Sequence, residues 1–197
     1  GQISSLNTDG KRYVYAIPAY NKQQQEITFA VGKPVSGGSA RSVSSNSLVT
    51  YQASDITTGN KMGLDNYYSN TKMPAFAHSY LLSAVLSSDY VDLTGNGPTD
   101  DDLGNYTLFK YAEVSDYNWR TPLGDHKAKF SNGLLADVND DKGSIVYGTK
   151  QLFYLDEIIT KNHIAKFERS ARDDGKDAQD INGVIGTQSQ QKIDRII

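Results

Sequence analysis

The sequence predicts a mainly β protein with one short helix, built of antiparallel sheets joined by long irregular loops. Three observations predict it. The 197 residues include 13 tyrosines, which with valine, isoleucine, threonine and phenylalanine favour strands over helices. Seventeen glycines, several beside Asn or Asp as at Asp9-Gly10, Asn96-Gly97 and Asn132-Gly133, supply turns. Several segments also alternate polar and apolar side chains with the period of two that a half-buried strand requires.

Taken in order, Asp9-Gly10 marks a hairpin-type turn before a strand over Arg12–Ile17, which Pro18 ends. Glu26, Ile27, Thr28 and Phe29 alternate within a second strand over 25–31 that pairs with the first. Residues 36–47 are nearly all small and polar, too little apolar surface to offset the entropy of ordering them, so a flexible Ser/Gly-rich loop is expected. A short strand follows at Leu48–Tyr51, and 55–74 read as irregular. The helix is expected over Ala75–Leu86, where Phe76, Tyr80, Leu81, Ala84 and Val85 recur at three- and four-residue spacing behind Pro74. A buried strand over Tyr80–Leu86 is the competing reading, because short apolar runs do not separate the two states. Asn105–Val114 alternates as a strand that Tyr117–Arg120 extends after a bend, and 121–143 is a long loop. Strands are expected at 144–147, 150–155, 157–160 and 164–168, the last two joined by a turn at Lys161-Asn162. Residues 171–191 read as loop before a final strand over 192–197.

The length suits a single β-rich module over residues 1–197, and the Gly-Gln-Ile start and Arg-Ile-Ile end read as those of a piece excised from a longer polypeptide. A net charge of −3 gives no global attraction to nucleic acid. No run approaches the roughly 18 apolar residues of a membrane-spanning helix, so no direct membrane insertion is expected. The chain has no cysteine, which excludes disulfides and thiolate metal sites.

The densest oxygen-ligand pattern is Asp92-Leu-Thr-Gly-Asn-Gly-Pro-Thr-Asp-Asp-Asp102. Asp92, Thr94, Asn96 and Asp100 stand at positions 1, 3, 5 and 9 of a calcium-type loop, Gly97 takes the turn, and Asp102 adds an oxygen. Position 12 is Leu103, where an EF-hand has a bidentate Glu. Calcium is the cofactor this pattern predicts; the alternative is a turn whose Asp and Asn side chains cap the local backbone. A second acidic stretch, 137–143, puts Lys142 where the turn glycine belongs, which favours an ordinary turn. His78, His126 and His163 lack zinc spacing. His78 reads as partly buried and His126 as solvent-facing. There is no Gly-x-Ser-x-Gly elbow and no Gly-Lys-Ser/Thr phosphate loop, so no catalytic residue is assigned. Trp119, with Tyr117 and Arg120, is a candidate aromatic platform for a sugar or peptide; the alternative is a core tryptophan.

Five phrases, read together, carry a resemblance: 12–21 (RYVYAIPAYN), 77–82 (AHSYLL), 89–106 (DYVDLTGNGPTDDDLGNY), 118–122 (NWRTP) and 161–167 (KNHIAKF). In this order they resemble a segment of very large secreted or surface proteins of Bacteroidetes-type bacteria, relatives of RHS/YD-repeat and insecticidal-toxin shell proteins. The resemblance implies an extracellular or cell-surface module within a longer polypeptide, and no activity. The expected function is a non-catalytic structural or interaction module, stabilised by calcium, whose partners are the rest of its own polypeptide and other surface proteins or glycans. The alternative is a carbohydrate-binding or carbohydrate-processing domain centred on Trp119.

Overall fold

The strands of this chain outrun the segments that alternation marks out. The computed structural model describes every residue except Gly1, Leu134, Leu135, Ala136 and Val138. Val138 belongs to the second acidic stretch, and that position lies outside the described residues. Ten strands follow in order: β1 (Ile3–Leu6), β2 (Arg12–Ala30), β3 (Leu48–Thr50), β4 (Tyr68–Met73), β5 (Phe76–Leu86), β6 (Tyr106–Thr121), β7 (Lys127–Ser131), β8 (Lys142–Thr160), β9 (Ile164–Ala178) and β10 (Ile185–Ile196). All pairings between them are antiparallel. The mainly β class is as the sequence predicts.

The expected helix over 75–86 is instead β5. Its residues pair with β2 from Arg12↔Leu86 to Asn21↔Phe76, and cross-strand packing overrides the local three- and four-residue spacing. Among the described residues the one helical element is a 3-10 turn at Ala53–Ile56. Pro18 does not end its strand either. β1 covers one edge of β2 up to Tyr15, and β8 takes that role from Asn21 onward. Pro18 falls in the interval where only β5 is a strand partner, the kind of place where a missing N–H is tolerated. The two strands expected to pair with each other are therefore one strand. Expected strands at 144–147, 150–155 and 157–160 are likewise one strand, β8. β4, β7 and the ends of β9 and β10 lie in stretches read as loop.

β2, β5, β6 and β8 close a ring of pairings: β2 with β5, β5 with β6, β6 with β8, and β8 back to β2. Bulges let these long strands bend, as between Val114 and Tyr117 in β6. Closure removes open edges from the long strands and leaves them to short or outer ones. One core gathers Ile27, Phe29, Val31, Val49, Tyr51 and Ile145 toward the far half of β2. A smaller one holds Val14, Ala84, Leu86 and Tyr106 at its near half.

The β9–β10 hairpin pairs with β8 only at Glu157–Ile159, then runs on. Its tip returns to the main body: Ile181 packs on the larger core, and His126 N donates to Asn182 O at 2.8 Å. Gly183 has φ +88°, and a Cβ there would meet Gly124 O at 2.6 Å, so the tip requires glycine.

Candidate functional site

The acidic loop spans the gap between β5 and β6. An isolated bridge, Val91↔Leu103, brings its two ends together. Inside it Asp92 and Asp102 turn toward the loop's own backbone. Asp92 accepts from Gly95 N at 2.7 Å and from Gly97 N at 3.0 Å. Asp102 is buried, and accepts from Leu93 N at 3.0 Å, Thr99 N at 2.9 Å and the Tyr90 hydroxyl at 2.8 Å. The Thr99 amide, more than any other contact, holds the Asp102 carboxyl below the usual carboxylate range. Lys161, from the β8–β9 turn, donates to the Asp102 backbone carbonyl. Asp100 accepts from the Tyr106 hydroxyl at 2.6 Å. Asn96 Oδ1 lies 3.3 Å from the Thr99 hydroxyl, and Thr94 is exposed.

This is a loop capped by its own side chains, with two tyrosines as external clasps. Among the described residues, no group of three or more His, Asp or Glu side chains converges as metal ligands would. The oxygens left over by the caps lie mainly on Asp100 and Asp101.

The hydrogen bond to Asp100 pushes the Tyr106 phenol up to about 12, since its ionisation would set two anions side by side. A folded-state pKa above the ordinary 10 means a contribution that is full below pH 10 and lost as pH rises through about 12. In a spectrophotometric titration, Tyr106→Phe is expected to remove one late-titrating phenol and leave the rest of the curve unchanged. Equal late amplitudes in both proteins would contradict the clasp.

Beneath the loop lies a half-open pocket of about 440 Å³ with Val14, Ala84, Leu86 and Leu108 among its lining residues. Sequence reasoning missed it, because its floor comes from three strands far apart in the chain.

Trp119 stands away from this site. It is half-buried over Gly148, where a Cβ would come within 2.8 Å of the indole, and its Nε1 donates to Asn21 Oδ1 at 3.4 Å. Lys150 Nζ lies 6.0 Å from the ring centroid. Tyr117, expected beside it, is buried and donates to Gly175 O on β9 at 3.1 Å. Arg120 is buried elsewhere, donating to Ile181 O at 2.7 Å and to the Tyr51 hydroxyl at 2.9 Å. The three residues do not form one platform.

Burial raises the Tyr51 phenol and lowers the Arg120 guanidinium. The His126 ring packs on Tyr51 at 5.3 Å between centroids, and its Nδ1 lies 2.6 Å from Asp125 Oδ1. His126 is thus less solvent-facing than its neighbours in sequence imply. His78, expected to be partly buried, is exposed on β5, as is His163 beside its turn. The second acidic stretch is an ordinary turn at its described residues: Asn139 N donates to Asp137 at 2.9 Å, and Lys142 pairs with Asp140 and Asp65. No protein family, curated relative or solved structure matches the chain.

Proposed function

We propose that this chain is a non-catalytic structural or interaction module of a larger secreted or cell-surface protein. The observation that carries the reading is the outer hairpin. β10 pairs with β9 alone among the strands. Ile164, Ile185, Ile193, Ile196 and Ile197 are each more than half exposed on or beside this hairpin. An open strand edge flanked by apolar side chains is the type of surface that another segment covers.

The test compares amide hydrogen exchange of β10 in the chain alone and in the complete product of its gene. Slower exchange in the complete product is the expected result; equal exchange in both would remove the reading. Ile193→Lys should leave the melting temperature of the isolated chain nearly unchanged, because the side chain faces solvent.

Calcium at 92–102 is the narrower part of the proposal. Its support is the run of carboxylates at Asp100, Asp101 and Asp102, whose mutual repulsion a divalent ion relieves. With about 1 mM ion and a Kd on the order of 10⁻⁴ M, linkage gives about 1.4 kcal/mol of stabilisation. The expected result is a melting temperature a few degrees higher in calcium than in chelator. An unchanged value would eliminate the ion and leave the loop as a self-capped turn.

A further inference from the structure

The pocket under the acidic loop is built from two cross-strand rows. Arg12 on β2 faces Leu86 on β5, which faces Tyr106 on β6; Val14 faces Ala84, which faces Leu108. Residues opposite one another in an antiparallel pair share a face. Val14, Ala84, Leu86 and Leu108 therefore form a continuous apolar floor. From β2 to β6 it crosses two inter-strand spacings, roughly 10 Å. Tyr90, Gly97 and Pro98 of the loop lie along one side, and the Tyr90 hydroxyl is already committed to Asp102. Ala16 and Gln2 also line the pocket.

The polar groups around this floor are unequal. Ser83 donates to Val14 O, and Gln2 donates to Ser4. Asp92 has an amide N–H on each carboxylate oxygen, which offsets part of its charge. Arg12 has no hydrogen-bonded or ion-paired side-chain partner among the described residues, although Asp92 lines the same pocket. An uncommitted guanidinium at the end of an apolar floor is complementary to one kind of molecule. It offers paired N–H donors to a carboxylate and leaves the rest of the ligand on hydrocarbon.

We propose that this pocket binds a small amphipathic monocarboxylate, a medium-chain acid, with its carboxylate on Arg12 and its chain along Val14, Ala84 and Leu108 under Pro98. The acidic loop then acts as the roof that gives the site its depth, and its caps and tyrosine clasps hold that roof at a fixed height. The pocket's size falls within the range of small-molecule sites, which are mostly apolar with a few placed polar groups.

The probe is decanoate, kept below its aggregation concentration and titrated into the full chain by calorimetry and by backbone amide NMR. Decanol and decylamine serve as matched controls. Decanoate should bind, with shifts clustered on β2, β5 and the 90–98 loop. Both controls should bind roughly 10-fold more weakly or worse. Arg12→Gln should lower decanoate affinity roughly 10- to 100-fold, the range for loss of a charge-assisted pair, and leave decanol unaffected. Ala16→Phe, at an exposed rim position, should block all three probes. Both variants change exposed residues, and unchanged melting temperatures identify folded protein. Absence of decanoate binding, decylamine binding as tight as decanoate, or an unchanged affinity in Arg12→Gln would each overturn the assignment.

Discussion

Phe29→Ala is expected to destabilise the protein by about 4 kcal/mol, a fall in melting temperature of roughly 8–16 °C for a chain of this length. Phe29 is fully buried at the centre of the larger core. Its ring meets Tyr51 edge-on at 5.2 Å between centroids. On β8 it lies over Gly143, where a Cβ would come within 2.9 Å of the ring tip. Glycine at 143 thus makes the space that the ring fills, and truncating the ring leaves a cavity that its β8 neighbours cannot close by small shifts. The loss falls on the contact between β2 and β8, which closes the ring of strands. Thermal or urea unfolding measures it. A change under about 1 kcal/mol would mean that this core collapses freely, and that β2 and β8 are not packed as described.

Asp55→Ala is the second large effect, expected at about 3 kcal/mol, in the range for breaking a buried ion pair from one side. Asp55 is 2% exposed. Its carboxylate takes two guanidinium bonds from Arg41, at 2.7 and 2.8 Å, and a third from the Gln52 amide at 2.8 Å. Alanine would leave the Arg41 guanidinium with the Gln52 side-chain oxygen alone; the Arg41 backbone N–H also donates to Val31 O. Among residues 36–47, Arg41 alone is half-buried and the others are exposed. The substitution should therefore both lower stability and speed amide exchange across that segment. Arg41→Ala should cost at least as much, because it leaves the more buried partner, the Asp55 carboxylate, with the Gln52 amide alone. A clearly smaller loss from Arg41→Ala would contradict this assignment of roles.

Parts of the fold were legible in the sequence. The turn at Asp9-Gly10, the alternation of Glu26 to Phe29, the bend between Val114 and Tyr117, and the turn at Lys161-Asn162 all carry local signals, and each stands where those signals put it. β5 was not legible as a strand over its whole length, because its apolar spacing fits either period and its pairing with β2 decides between them. The second half of β9 is charged and the first half of β10 is Gln-rich, with no alternation to read; they are strands because they pair with each other.

The candidate site divides in the same way. That residues 92–102 form a tight, oxygen-rich loop follows from Asp, Asn and Gly at close spacing, whose side chains reach amides only a few residues away. That Asp102 is its anchor depends also on Tyr90 and Lys161, the latter distant in sequence. That the loop roofs an apolar pocket depends on Val14, Ala84 and Leu108 meeting across three strands. Local backbone and side-chain chemistry settled the turns, the strand-forming composition and the β class. Long-range pairing settled which segments became strands and that Asp55, Asp102 and Asp177 became buried, since those outcomes are set by neighbours that a window of sequence does not contain.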